Sequence, residues 1–101
     1  MLENIIKDLA ENYDKSDKET LENMLEAVTT TALSISNRDD TEDNRNLLSL
    51  EISNAVKSMY LARGGEGLNS LNDGGKSSSF EDVIEKLRNN IIKNGKRINR
   101  F

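Results

Sequence analysis

The stretch LLSLEISNAVKSMYLAR, residues 47–63, decides the fold of this chain. At ~100° per residue, Leu48, Ile52, Ala55, Val56, Met59 and Tyr60 share one broad face, the spacing of an amphipathic helix. Leu47, Leu50 and Leu61 fall on nearly the reverse side. A helix with apolar groups in two directions belongs at the centre of a bundle, so this stretch is read as the third and central helix, running to about Arg63. Gly64 and Gly65 end it, because glycine reaches the left-handed conformation of a helix C-cap without steric cost. No proline occurs anywhere in the 101 residues, so none interrupts a helix.

Two further stripes precede this helix. Leu2, Ile5, Ile6, Leu9 and Tyr13 lie within roughly a 100° arc and predict a short first helix, with Glu3, Lys7 and Glu11 on its other side. Ser16 and Glu19 have capping-box spacing, which places the start of a second helix at Ser16. Its buried stripe is Leu21, Met24, Leu25, Val28, Ala32 and Ile35. Thr29, Thr30 and Thr31 weaken its later turns through lost rotamer freedom, and an end near Asn37 is expected. Residues 38–44 form a polar connector in which Asp39, Asp40, Thr41 and Asp43 are all able to cap the next helix.

Downstream, residues 66–79 contain only Leu68 and Leu71 as apolar side chains, and Asp73-Gly74-Gly75 suits a tight turn. An extended loop and a short β-hairpin fit this segment equally. Ser79 and Asp82 repeat a cap-like spacing, and Phe80, Val83, Leu87 and Ile91 open a fourth stripe, with Ile84 at its margin. Gly95 stops that helix near Asn94. The expected fold is therefore all-α, a small bundle of about four helices over residues 1–95, followed by a basic tail over residues 96–101.

A chain of this length fits one domain. It buries only about two thirds of its unfolded surface, and with 35% apolar residues its core must be thin. Cysteine and histidine are both absent, which excludes disulfides, thiol nucleophiles, imidazole bases and the usual zinc ligands. The remaining carboxylates, lysines and hydroxyls show no concentrating pattern. No enzyme, cofactor or metal site is expected. No apolar run approaches the ~18 residues needed to cross a bilayer, and the first residues lack the basic-then-apolar order of a signal peptide, so synthesis and folding in a reducing cytoplasm are expected.

Charge is unevenly placed. Residues 1–43 carry 12 acids against 4 bases, net −8, and residues 44–101 carry 6 acids against 10 bases, net +4. This asymmetry favours head-to-tail association, the acidic part of one copy facing the basic part of the next. Leu33, Leu47, Leu50, Leu61 and Ile92 sit away from the main stripes and are the candidate subunit-interface residues. Lys93, Lys96, Arg97 and Arg100 neutralise at most about four phosphates, so nucleic-acid binding by them alone would be weak. In the tail, Ile98 and Phe101 beside Lys96, Arg97 and Arg100 point to docking in a protein groove. The glycines at 64, 65, 67, 74 and 75 match neither glycine-rich nucleotide signature, since Lys76 follows Gly75 at the wrong offset from Gly67.

Read together, Tyr60-Leu61-Ala62-Arg63-Gly64-Gly65-Glu66-Gly67, Ser70, Gly74-Gly75 and Ser77-Ser78-Ser79-Phe80 resemble the signature of tailed-bacteriophage head-tail connector (adaptor) proteins. Leu2, Ile6, Lys7, Leu9 and the segment from Asp17 to Leu25 also look like that family. Gly65 stands where alanine is common, and the family's prolines before the third helix and within the last are missing. The resemblance implies a non-enzymatic helical subunit in the neck of the virion, made in the host bacterial cytoplasm. It implies a homo-oligomeric ring, dodecameric in the virion, that sits under the portal protein and extends the DNA channel without sequence-specific binding. The next neck or tail-completion protein would dock on it, and no membrane is involved. Loop contacts would come from Arg63, Gly64, Glu66, Gly67, Ser70, Gly74 and Gly75, and portal docking from Lys96, Arg97, Ile98, Arg100 and Phe101. The alternative from another class is a small helical nucleic-acid-binding regulator that uses the last helix and basic tail.

Overall fold

Helix α1 (Leu2–Leu9) buries Ile5 and Leu9, the inward positions of its stripe. It ends at Ala10, whose φ of 52° and ψ of −122° is a conformation L-residues rarely adopt. A 3₁₀ turn over Ala10–Asn12 follows, and Tyr13 is extended, so the helix is shorter than its apolar arc. Tyr13 still packs on the core and lies 6.1 Å, centroid to centroid, from the Tyr60 ring. The structure, a computed structural model, describes residues 1–64 and 80–98, with the backbone alone for Arg63, Gly64 and Phe80.

Helix α2 spans Lys18–Ser36. The expected capping box is not formed: Asp17 is the N-cap residue and makes no side-chain cap bond. Ser16 instead donates through both its backbone N–H and its hydroxyl to Asp14 Oδ1, each at 2.9 Å, within a 3₁₀ turn over Lys15–Asp17. Ser16 lies in that turn, one residue ahead of the N-cap position, so its hydroxyl caps no amide of α2. These bonds, the backbone one first, hold the Asp14 carboxyl below its ordinary value. At the other end α2 stops where expected. Asn37 adopts φ 61°, and the Asn37 and Arg38 amides close back on the Ser34 and Leu33 carbonyls, a Schellman ending.

The predicted third helix is two helices. Thr41 caps α3 (Glu42–Leu47), its hydroxyl accepting from the Asn44 N–H at 3.1 Å. Leu48, at φ −93° and ψ 6°, bends the chain, and α4 (Ser49–Gly64) continues in a new direction. Helix α5 (Phe80–Lys93) ends in a second Schellman motif, with Gly95 at φ 72° and the Gly95 and Lys96 amides returning to Ile92 and Ile91. Every described element is helical, five α-helices in all. The extended loop or hairpin expected over 66–79 lies outside the described residues.

Helices α2 and α4 form the central pair, and each also packs against α1, α3 and α5. The core draws Ile5 and Leu9 from α1, Leu21, Val28, Ala32 and Leu33 from α2, Ile52, Val56 and Tyr60 from α4, and Val83, Leu87 and Ile91 from α5. Full burial of each such side chain is worth ~1.5–3 kcal/mol. The molecule measures 44 × 29 × 18 Å, so it is a slab about two helices thick at the ~10 Å of a helix with side chains.

Helices α1 and α5 meet α4 from different directions. On α4, Lys57 turns to α1 and pairs with Asp8 at 2.9 Å, whereas Glu51, Ala55 and Ser58 turn to α5 and share a cleft with Val83 and Leu87. At ~100° per residue these two sets point about 130° apart around α4. The remaining outward face of α4 is left to solvent.

Candidate functional site

Leu50 and Leu61 occupy that outward face. They are eleven residues apart, which at ~100° per residue puts them within about 20° of each other and roughly three turns apart along the helix. Leu50 is 60% exposed and Leu61 47%, and Asn54 and Ser58 between them are exposed as well. Asn54 and Ser58 also wall the recess against α5, whereas neither leucine is among the residues packed on the core. Leu47, at the end of α3, is 41% exposed, and Ile92, on the outer edge of α5, is 46% exposed. Four of the five residues read as interface candidates therefore lie at the surface, on two different sides of the slab.

The fifth is a correction. Leu33 is 6% exposed and belongs to the core. It lies two turns beyond Glu26 on the same flank of α2, and α3 packs on that flank, with Arg45 reaching Glu26 at 3.5 Å. The break at Leu48 lets α3 pack on α2, and Leu33 is one of the core residues of that helix.

The predicted tail does not begin where the domain's contacts end. The Ile98 amide donates to the Ser36 carbonyl at 2.8 Å, Asn37 Nδ2 donates to the Ile98 carbonyl at 2.8 Å, and Arg38 Nε donates to the Lys96 carbonyl at 2.8 Å. Lys96 is inside the fold rather than on a free arm. Its ammonium donates to the Leu47 carbonyl at 2.9 Å and to Glu51 at 3.1 Å, and Asn94 donates to the other Glu51 oxygen at 2.5 Å. Arg97 is exposed, Ile98 keeps 36% of its surface, and Arg100 and Phe101 lie outside the described residues. Of the loop candidates, Arg63 and Gly64 close α4, while Glu66, Gly67, Ser70, Gly74 and Gly75 lie outside the described residues.

Glu51 escaped the sequence reading because a helix running unbroken through residue 48 makes it one more polar residue. The bend places it in the first turn of α4, where unpaired amides and the helix dipole favour a carboxylate. Its side chain is 1% exposed and is satisfied by Lys96 and Asn94. A second polar fastening joins the far end of α4 to the turn before α2. Tyr60 donates to Asp17 Oδ2 at 2.7 Å and accepts from the Asp14 amide at 3.1 Å, and burial, then the Asp17 bond, raise its phenol above the ordinary value.

Three recesses mark the described surface. A cleft of ≈ 90 Å³ between α4 and α5, walled by Asn54, Ser58, Lys86 and Asn90, is smaller than the ~300–1,000 Å³ of ligand pockets. A groove of ≈ 350 Å³ on the outside of α5 is lined by Glu81, Ile84, Glu85, Arg88 and Asn89. Another, of ≈ 370 Å³, lies between the start of α1, the middle of α2 and α3, with Leu2 and Leu25 among its apolar lining and Glu22, Glu26 and Glu42 beside them. Comparison with protein families, with curated proteins and with solved structures gave no match.

Proposed function

We propose that this chain is a structural head-tail connector of a tailed bacteriophage, assembling with copies of itself into a ring under the portal protein and joining capsid to tail. The observation that carries the reading is the outward face of α4, where Leu50 and Leu61 stand 60% and 47% exposed on the central helix of a thin slab. Each would contribute ~1.5–3 kcal/mol on burial, before the costs of association. Leu50 and Leu61 on one face and Ile92 on an edge give the unlike surfaces that a ring subunit presents to its neighbours. The order of Tyr60, Arg63, Gly64, Glu66 and Gly67, then Ser70, Gly74, Gly75 and Phe80, supplies the resemblance to connectors.

In this reading the helices form the wall of the neck, DNA passes through without base-specific contact, and the next neck or tail-completion protein docks on the far side. The net charge of −8 over residues 1–43 suits a lumen along which DNA slides without adhering. Lys96 acts as the root of the tail, holding it to Glu51, and portal docking falls to Arg97, Ile98, Arg100 and Phe101. The chain does no chemistry.

Deletion of the coding sequence from its virus tests this. Full heads and free tails that fail to join, rescued by the wild-type chain but not by Leu50→Glu/Leu61→Glu, are expected. Normal joined particles without the chain would overturn the reading.

A further inference from the structure

We propose that two unlike surfaces of the molecule are the two halves of one heterologous contact, the outer side of α5 of one copy seating in the α1/α2/α3 groove of a second copy. The inference rests on the assembly reading above and identifies the surfaces that would carry it. The groove has an apolar lining that includes Leu2 and Leu25, and Glu22, Glu26 and Glu42 stand around it. The one guanidinium there, Arg45, is already held by Asp40 at 2.6 Å and by Glu26 at 3.5 Å. With Asp40 counted, four carboxylates face one cation, so the groove is acidic around an apolar centre.

The outer side of α5 is its complement. From Lys86 to Asn94 the chain carries Lys86, Arg88 and Lys93 and not one carboxylate, and of these Lys86 turns to the cleft against α4. Arg88 and Ile92 are neighbours one turn apart on the outside of α5, Lys93 lies on their flank, and Ile92 stays 46% exposed. Glu81 and Glu85 share a recess with Arg88, so Arg88 is the border of the committed surface, which runs from it through Ile92 to Lys93. An isoleucine flanked by cations meets leucines flanked by carboxylates, and like edges repel. Because the two surfaces share no residue, each copy uses one and offers the other, and the contact repeats until a ring closes.

The test uses two full-length variants, Glu22→Lys/Glu42→Lys in the groove and Arg88→Glu/Lys93→Glu on the edge, with circular dichroism to check helicity. Each variant keeps one intact surface. Light scattering should give the wild type a mass that climbs with concentration, each variant alone the 11.3 kDa of a monomer, and their equimolar mixture, in which reversed edge meets reversed groove and intact edge meets intact groove, a mass that climbs again. Should a reversal disturb the fold, the Gln versions at the same four positions must weaken association at least tenfold at low salt. A wild type that stays monomeric, a mixture that stays monomeric, or variants that assemble like the wild type would overturn the pairing. In the last case self-assembly survives through other surfaces, and the head-tail phenotype of the deletion reports on the connector reading independently.

Discussion

The ammonium of Lys96 lies 3.0 Å from a carboxylate oxygen of Glu51, a side chain with 1% of its surface exposed, and this pair fastens the segment after α5 to the first turn of α4. Removing one partner of a buried pair costs ~3–5 kcal/mol, because the other charge is left without an answer. Lys96 keeps 23% exposure and Asn94 still donates to Glu51, so Lys96→Met should cost about 2–3 kcal/mol in urea unfolding. Glu51→Met with Lys96→Met should cost less than the two single changes together.

Tyr60→Phe keeps the ring against Tyr13 and removes the hydroxyl that links Asp17 to the Asp14 amide. A loss of about 1–2 kcal/mol is expected for such a partly buried polar link. The phenol is raised above its ordinary value of 10.0 in the folded chain, so its contribution is fully present below pH 10 and is lost as pH rises through the folded value. Denaturant titrations above pH 10 should therefore show a shallower fall in stability for Tyr60→Phe than for the wild type. At the acid end Asp14 and Asp40 are held low, by Ser16 and by Arg45 respectively. Their contribution is present above the ordinary value of 3.8 and is lost as pH falls below it.

Backbone conformation makes a paired prediction. Ala10 at φ 52° and ψ −122° bears a strain of ~1–3 kcal/mol that glycine would relieve, offset by the ~0.5–1 kcal/mol that glycine loses in conformational freedom. Ala10→Gly should leave the chain slightly more stable. Gly95 is the converse: a Cβ there meets nothing within 4 Å, so Gly95→Ala should cost only the ~1–2 kcal/mol of its positive φ. Thermal melts of the two variants should move in opposite directions.

Much of the fold was legible because the buried stripes keep helical period: Ile5 and Leu9, Leu21 and Val28, Ile52 and Val56, Val83 and Leu87 all sit where their spacing places them. Helix ends governed by one residue in a left-handed conformation, Asn37 and Gly95, were legible for the same local reason. What escaped depended on the bend at Leu48. Periodicity continues smoothly through that residue, so neither the packing of α3 on α2 nor the entry of Glu51 into a buried first turn is visible in the spacing. Ser16 misled because Asp14 caps a 3₁₀ turn over Lys15–Asp17, which delays the start of α2 and leaves the serine outside the N-cap position.

Leu33 and the pair Leu50 and Leu61 came from one sequence argument and should now behave differently. Leu33→Ala removes core volume and should cost about 2–4 kcal/mol. Leu50→Glu/Leu61→Glu changes only the outer face of α4 and should alter monomer stability by no more than about 0.5 kcal/mol per site. Urea unfolding of both variants at low protein concentration separates the two roles.

The connector account is tested most directly by a three-dimensional reconstruction of the head-tail junction in particles that carry this chain. The account predicts a ring of copies against the portal, with the Leu50 and Leu61 face of each copy covered by neighbouring protein. A junction without the chain, or copies whose α4 face opens to solvent, would contradict it.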